Sequence, residues 1–138
     1  MEREVFVDAG AWIAISDTRD KYHEPASGLY RQLLTERRIL VTTNLVVAEA
    51  YIIIRRTGGH EPALRFLRST RESVRLRKIY SDTRLEAEAE EILGKFADQD
   101  FSLADAVSFA VMQDRGIEEA FAFDQHFVTA GFRLLPGD

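Results

Sequence analysis

The sequence predicts an α/β/α sandwich, a three-layer α/β fold built around a mainly parallel central sheet. Short apolar runs that stop at turn residues alternate along the chain with longer segments whose apolar residues recur at helical spacing. Strands that alternate with helices are joined by crossovers, and crossovers make neighbouring strands parallel. The chain has 138 residues, 46% hydrophobic and 30% charged, which fits one globular domain over residues 1–138.

The first strand is predicted at residues 5–7, where Val, Phe and Val precede Asp8 and a turn. A first helix is expected to begin at Ala11. Pro25 suits the first position of a second helix, because an amide hydrogen has no partner there. Trp12 is expected in the core rather than in a ligand site. Asp8 would therefore stand at the carboxyl end of a buried strand.

A second strand, at residues 39–42, is expected to lead into a helix over residues 45–56. Thr43 or Asn44 can cap the start of this helix, although its β-branched residues keep a strand open as the alternative. Glu49 lies among apolar residues here, and a buried glutamate needs a cation or a hydrogen-bond donor. The other interpretation places Glu49 on the solvent side of an amphipathic helix.

Helix and strand alternate again in the following segment. Pro62 is expected to open a short helix, residues 74–79 alternate in the manner of a half-exposed strand, and Asp82 is expected to cap a longer helix. Asp98 and Asp100 follow that helix as loop acids. Either could serve as a minor metal ligand.

The last third of the chain opens with a helix-capping pattern. Ser102 is a good N-cap, and Asp105 three residues later completes a capping box whose acid suits the positive end of a helix. A strand at residues 120–123 is predicted to end at Asp124, and His126 follows in a turn before a last short strand. Asp105 is either a cap alone or a cap that also belongs to a site.

Composition excludes several classes of protein. Without cysteine, neither a disulfide framework nor a thiolate metal site is available. No apolar run approaches the roughly 20 residues that cross a bilayer, and the N-terminus leads into a strand without a signal-peptide pattern. We therefore expect a cytoplasmic protein with no membrane partner.

Charge is unevenly distributed along the chain. The net charge of −5 argues weakly against nucleic-acid binding, but residues 55–78 carry eight basic residues against two acidic ones, and residues 82–124 carry twelve acidic against three basic. The asymmetry indicates either a phosphate-binding rim beside an acidic pocket or ordinary solvated helix faces. The basic residues are Arg55, Arg56, Arg65, Arg68, Arg71, Arg75, Arg77 and Lys78.

Four acids are expected to meet in one crevice: Asp8, Glu49, Asp105 and Asp124. Ligand sites of open parallel sheets form beyond the carboxyl ends of the strands, where the strand order reverses. Crowded carboxylates cannot all stay ionised without a cation, and Mg²⁺ or Mn²⁺ is the natural counter-ion for oxygen ligands. Such clusters suit metal-assisted phosphodiester hydrolysis, which predicts a nuclease.

Four segments of the chain, taken together, resemble a known family. They are Val-Phe-Val-Asp8 with Trp12, Thr42-Thr-Asn-Leu-Val-Val-Ala-Glu49, Asp100-Phe-Ser-Leu-Ala-Asp105-Ala-Val-Ser-Phe-Ala, and Phe121-Ala-Phe-Asp124-Gln-His-Phe with the closing Gly131-Phe-Arg-Leu-Leu-Pro136. In this order they resemble the PIN-domain ribonucleases and, among them, the VapC-type toxins of bacterial and archaeal toxin–antitoxin pairs. The chain departs at Gly10, where the family often has Ser or Thr, and at Asn44, where an acidic or hydroxyl residue is common.

The resemblance implies a PIN-like sandwich and a Mg²⁺- or Mn²⁺-dependent endoribonuclease, with Asp8, Glu49, Asp105 and Asp124 as its catalytic, metal-binding acids. It also implies RNA as substrate, a cognate antitoxin as protein partner, and a homodimer. Two alternatives within the fold are a nuclease that processes RNA without being a toxin and a non-catalytic binding module. A receiver-like signalling domain is a third, but it should carry an acidic pair after its first strand and a strand-end lysine, and the sequence shows neither.

Overall fold

The computed structural model describes residues 3–137 as a five-stranded sheet flanked by helices. The strands are β1 (Glu4–Val7), β2 (Ile39–Thr43), β3 (Leu76–Ile79), β4 (Glu119–Phe121) and β5 (Arg133–Leu135). The helices are α1 (Ala9–Ser16), α2 (His23–Thr35), α3 (Asn44–Gly58), α4 (His60–Glu72), α5 (Thr83–Lys95), α6 (Leu103–Arg115) and α7 (His126–Thr129). Within the described range, none of these helices has the length and apolar character to span a membrane.

The strands lie in the order β3-β2-β1-β4-β5, and every neighbouring pair is parallel. The chain moves outward from β1 to β2 and β3, then returns to place β4 on the other side of β1. Because such crossovers are right-handed, the helices α1 to α4 cover one face of the sheet and α5 to α7 cover the other. The α/β/α sandwich is therefore confirmed.

The central strands are buried on both faces, as parallel strands between helices must be. In β1, the side chains of Val5, Phe6 and Val7 are completely inaccessible to solvent. The ring of Phe127 in α7 meets Phe109 of α6 edge to face, with 5.1 Å between centroids, and lies 6.1 Å from the ring of Phe6. These ring contacts pack α6 and α7 against the sheet.

Capping signals in the sequence are confirmed by the hydrogen bonds that they make. Thr43 Oγ1 accepts from the amide of Val46 at the start of α3, and Asp82 Oδ1 accepts from the amide of Leu85 at the start of α5. Gly116 ends α6 in the left-handed region, with φ of 67°, where a side chain would be strained. Residues 45–56 are helical, so the strand alternative for that segment is wrong.

Several predicted boundaries are wrong by a few residues. Pro25 and Pro62 each occupy the third position of a helix rather than the first. None of the amides in the first turn of a helix has a partner within the helix, so proline is tolerated at any of these positions. A proline therefore indicates the first turn but not which residue begins it. β3 begins at Leu76, and Val74, expected in that strand, is 95% exposed.

Candidate active site

Asp8 lies where the strand order reverses, between β1 and β4. Its amide donates to the carbonyl of Phe121 at 3.0 Å, and its own carbonyl accepts from the amides of Ala11 and Trp12 at 3.1 and 3.2 Å. Asp8 is thus the N-cap of α1, which begins at Ala9, two residues earlier than predicted. The backbone holds Asp8 at the point where parallel sheets bind ligands.

Thr42 joins the end of β1 to the strand beside it and to α1. Its hydroxyl donates to the carbonyl of Val7 at 2.8 Å and accepts from the indole N–H of Trp12 at 3.4 Å. Thr42 is fully buried and Trp12 is 5% exposed, so Trp12 belongs to the core as expected. This buried contact gives Asp8 a rigid support.

The carboxylate of Asp105 serves both a helix cap and the site. Its Oδ2 accepts from the amide of Ser102 at 3.1 Å, while the Ser102 hydroxyl accepts from the amide of Asp105 at 3.0 Å, which completes the predicted capping box. The same Oδ2 lies 3.0 Å from Nδ1 of His126. No hydrogen bond within residues 3–137 uses Oδ1, so one oxygen of Asp105 is available to a further ligand.

Asp124 lies in the loop after β4, where it approaches the same imidazole. The prediction that a strand ends at Asp124 is wrong, because β4 stops at Phe121. One carboxylate oxygen of Asp124 accepts from the amide of His126 at 2.9 Å, and the other lies 3.4 Å from His126 Nδ1. Ligand atoms of Asp105, Asp124 and His126 all lie within 4.8 Å of one another.

His126 is the residue of this site that the sequence interpretation missed. It is the first residue of α7 rather than part of a simple turn, and its ring packs edge to face against Phe101, with 5.1 Å between centroids. The spacing of Asp124 and His126 could have revealed it, because an aspartate often accepts from the amide two residues later. That turn places the acid and the imidazole side by side.

Burial and the neighbouring acids both raise the pKa of Asp8. Loss of hydration on burial is the largest cause that raises the pKa of Asp8, from 3.8 to about 7. The amide of Ala9 lowers this pKa, and the charges of Asp105, Glu49 and Asp124 raise it further. The four predicted acids are therefore close enough to interact electrostatically.

Glu49 is exposed, contrary to the prediction that it is buried. The buried stripe of α3 consists of Val46, Val47, Ala50 and Ile54, which leaves Glu49 on the opposite side. The solvent side of α3 nevertheless borders the site. Partial loss of hydration, followed by the charges of Asp105 and Asp124, raises the pKa of Glu49.

Asp98 and Asp100, considered as minor ligands, are both exposed, and neither belongs to the group formed by Asp105, Asp124 and His126. They follow α5 and precede the capping box. Spacing along a loop does not determine where its side chains point, so their proximity to Asp105 in sequence was not informative.

Comparison with known proteins identifies the fold at the level of family. Residues 5–133 match the PIN domain, a range that includes all four acids. The chain belongs to the PIN-domain family. It is 34% identical over 128 residues to the 23S rRNA-specific endonuclease VapC20 of Mycobacterium tuberculosis, found under that name in strains H37Rv and CDC 1551, and the alignment covers 93% of this chain and 95% of the relative.

Several solved structures share this fold. The crystal structure of M. tuberculosis VapC20, described as a sarcin–ricin loop cleaving toxin, has a TM-score of 0.82 at 32% identity over 93% of this chain and 95% of that one. VapBC2 of Rickettsia felis, bound to a promoter DNA fragment, has a TM-score of 0.69 at 10% identity, and the match covers 95% of this chain and 96% of that one. FitAcB of Neisseria gonorrhoeae has a TM-score of 0.65 at 14% identity, and the match covers 94% of this chain and 95% of that one. The last two are similar in fold alone.

The two departures from the family pattern have structural counterparts in this PIN domain. At Gly10, an added Cβ would lie 4.0 Å from the ring of Phe123, an ordinary contact, so a side chain would fit. Asn44 accepts from the amide of Ser81 through its side-chain oxygen at 2.8 Å. Asn44 therefore ties the start of α3 to the segment after β3.

A cavity lies at the opposite edge of the sheet from the acids. Its volume is about 670 Å³, and its lining includes Glu4 and Glu119, which begin β1 and β4. Glu4 pairs with Arg77 and Arg115 at 3.1 and 2.7 Å. Glu4 and Glu119 are thus neutralised by arginines, whereas no arginine or lysine forms an ion pair with Asp8, Glu49, Asp105 or Asp124 within residues 3–137, so the acids are the better candidate for a cation site.

Some residues of the basic stretch have partners within the described part of the chain and others do not. Arg77 pairs with Glu4, and Lys78 lies over the ring of Tyr80. Arg65 and Arg68 project from α4, are exposed, and form no ion pair within residues 3–137. The phosphate-binding role of these residues stays a prediction.

Proposed function

We propose that this PIN-domain protein is a Mg²⁺- or Mn²⁺-dependent endoribonuclease, the toxin of a toxin–antitoxin pair. Two observations support the proposal: ligand atoms of Asp105, Asp124 and His126 lie within 4.8 Å of one another, and burial, followed by the charges of Asp105 and Asp124, raises the pKa of both Asp8 and Glu49. The 34% identical relative, a 23S rRNA-specific endonuclease, supports the same conclusion.

The chemistry of the donor atoms fits a hard divalent cation. Carboxylate oxygens with at most one imidazole suit Mg²⁺ and Mn²⁺ better than soft metals, which prefer the thiolates that this chain lacks. Burial, and then the charges of Asp105, Glu49 and Asp124, raise the pKa of Asp8, and a bound cation would favour its ionised form. When bound, such an ion polarises a phosphate oxygen and makes the attacking water more acidic.

Each acid has a role that follows from its position. Asp8 and Asp105, which backbone hydrogen bonds hold in place, are assigned as the principal metal ligands. Asp124, whose side chain is 45% exposed, is assigned as a third ligand. Glu49 lies on the exposed side of α3 with a raised pKa, which suits a carboxylate that orients water and takes up its proton.

His126 is assigned as the residue that positions two of these ligands. Its Nδ1 approaches both Asp105 and Asp124, and its backbone amide donates to Asp124. Outer-shell hydrogen bonds of this kind orient metal-binding carboxylates and raise metal affinity. Donation from Nδ1 to Asp105 Oδ2 leaves Oδ1 free for the ion.

RNA is proposed as the substrate because the relative that covers nearly the whole chain acts on 23S rRNA. The exposed arginines of α4 would bind the RNA backbone without reading sequence. A cognate antitoxin and a homodimeric assembly complete the proposal. A nuclease that processes RNA without being a toxin would use the same acids, and a binding module without activity would have no need of four crowded ones.

Incubation of the purified protein with 23S rRNA, in Mg²⁺, in Mn²⁺ and in chelator, tests the enzymatic proposal. We expect discrete cleavage products that require a divalent ion, and intact RNA under all three conditions would contradict it. Expression in growing cells, with and without the gene beside it, tests the toxin assignment. Growth arrest that the neighbouring gene relieves is expected, whereas normal growth with an active enzyme would favour RNA processing.

A further inference from the structure

A stacked pair of aromatic rings lies at the edge of the candidate active site. The rings of Tyr22 and Phe123 are nearly parallel, at 4°, with 4.2 Å between their centroids. Tyr22 is 38% exposed and Phe123 is half-buried. The Nζ atom of Lys21 lies 4.9 Å from the centroid of the Tyr22 ring. Since Phe123 covers one face of Tyr22, this ammonium group occupies the other, solvent-facing side.

The position of the stack relative to the acids follows from its neighbours. Phe123 directly precedes Asp124 in sequence, so their Cα atoms are about 3.8 Å apart. The same ring is 4.0 Å from where a Cβ of Gly10 would lie, two residues after Asp8. Phe123 therefore lies between Tyr22 and the loops that carry two of the acids.

The Tyr22 ring is held in place before any ligand arrives. The amide of Tyr22 donates to Oδ1 of Asp20 at 2.8 Å, and Asp17 accepts from the amide of Arg19 at 2.9 Å in the same loop. Tyr22 is also the N-cap of α2, so its backbone is fixed by the helix that follows. Little conformational freedom is lost when a flat ligand stacks on such a ring.

We propose that Tyr22, supported by Phe123, is a stacking subsite for an unpaired nucleobase next to the scissile phosphate. The base would replace the Lys21 ammonium group on the outer face of Tyr22, and the released ammonium would pair with a backbone phosphate. Aromatic side chains stack on single-stranded bases whatever their sequence, because every base has a flat π-face. This inference rests on the proposed function, since it assigns part of the RNA to that same site.

A nucleobase fits the observations better than a protein partner does. The surface offered is one ring wide, flat and flanked by a cation, whereas a protein contact would need a broad apolar patch. The cation suits the polyanionic backbone that accompanies a base. The acids beside the stack would repel the phosphate backbone of the RNA, and a stacking contact would supply binding energy against this repulsion. An arginine at the same place would instead pair with the acids.

Fluorescence of 2-aminopurine in RNA measures the stacking directly. The probe is a single-stranded RNA about ten nucleotides long, with one 2-aminopurine placed at successive positions, bound in chelator so that no cleavage occurs. We expect quenching at one or two adjacent positions with the wild-type protein. Tyr22→Leu, which still covers Phe123, should abolish that quenching and weaken binding roughly 5- to 150-fold, whereas Tyr22→Phe should retain both.

The chain offers a matched control in Tyr80, a more exposed tyrosine with Lys78 over its ring at 5.3 Å. Tyr80→Leu should leave the quenching pattern unchanged. If Tyr22→Leu quenches and binds as wild type does, the proposal is overturned and the stack is a structural cover or a protein contact. The proposal would also be overturned if Tyr80→Leu lost the quenching while Tyr22→Leu kept it.

A crosslinking experiment on the unaltered protein guards against misfolding of the variants. Irradiated RNA that carries 5-iodouridine should crosslink to the peptide that contains Tyr22, and crosslinks confined to other peptides would overturn the proposal.

Cleavage in Mn²⁺ separates this proposal from the proposed function. A wild-type protein that binds and quenches but never cleaves refutes only the nuclease, whereas cleavage by Tyr22→Leu with unchanged KM refutes only the subsite.

Discussion

Nδ1 of His126 lies 3.0 Å from Oδ2 of Asp105, and this contact joins the start of α7 to the first turn of α6. The two residues are 21 positions apart in sequence, and the strand β4 lies between their helices along the chain. The imidazole also reaches Asp124 at 3.4 Å. The contact thus sets the separation of two acids that we assign to one cation.

Removal of the His126 imidazole should weaken metal binding without unfolding the protein. His126→Leu is expected to lower Mn²⁺ affinity about 10- to 100-fold, the usual effect of losing an outer-shell partner. His126→Asn, whose amide nitrogen can take the place of Nδ1, should keep most of the affinity. Calorimetric titration of Mn²⁺ at one fixed pH measures both, and equal affinities for Leu, Asn and His would show that the contact is incidental.

Loss of a single carboxylate charge at Asp8 or Asp105 should abolish RNA cleavage while the fold persists. Asp8→Asn and Asp105→Asn change charge at nearly constant volume, so metal binding is lost and packing is not. Asp98→Asn, in an exposed loop acid outside the group, is the matched control and should cleave as wild type does. Full activity in both site variants would refute the assignment, and circular dichroism checks that each is folded.

The metal-free protein should become more stable as the pH falls from about 8 to about 5. Because the pKa of Asp8 is about 7 in the folded chain, against an ordinary value of 3.8, the folded state binds a proton across this window and the unfolded state does not. The free energy of unfolding therefore decreases as the pH rises, by no more than about 4 kcal/mol over the whole window between the two pKa values.

Urea denaturation in chelator at the two pH values measures this effect. Asp8→Asn should flatten the dependence and should gain little stability from Mn²⁺, which stabilises only a folded site. Acids whose pKa is lowered in the folded chain, such as Glu119, make the protein less stable as the pH falls, but only below their ordinary pKa of 4.5. The same pH slope in wild type and in Asp8→Asn would show that another group is responsible.

The opposite edge of the sheet should govern stability rather than activity. The guanidinium of Arg38, 8% exposed at its side chain, hydrogen bonds to Glu119, which also pairs with Arg133 at 3.0 Å. Glu119→Ala leaves Arg38 buried without this carboxylate and should cost about 3 kcal/mol. At a temperature where the variant is folded, cleavage should match wild type. A loss of activity in the folded variant would contradict the separation of the two edges.

The exposed arginines of α4 should contribute affinity for RNA that depends on salt. Arg65→Glu with Arg68→Glu is expected to weaken RNA binding and to reduce the slope of log affinity against log salt by roughly 0.7 for each phosphate that is no longer neutralised. Metal affinity should not change, because neither residue lies in the acid group. Binding isotherms at several salt concentrations provide the slope, and an unchanged slope would assign these arginines to an ordinary solvated face.

The sequence by itself determined the elements and their order, because helix caps and apolar periodicity act over a few residues. Local sequence predicts Asp82 and Ser102 as caps, and Thr43 or Asn44 as a third; Asp82, Ser102 and Thr43 each accept the expected hydrogen bond. Asp8 was placed after its strand for the same reason. The parallel sheet then follows from alternation of strands and helices.

Only the tertiary structure decided how the site is assembled, because side chains far apart in sequence meet according to how the elements pack. Local hydrophobicity suggested that Glu49 is buried, yet the burial of Val46, Ala50 and Ile54 turns Glu49 outward, toward the other acids. His126 acquires its importance from a contact across 21 residues that no periodicity encodes. Which charges face one another is a property of the packed sheet and helices, and a linear pattern of residues does not contain it.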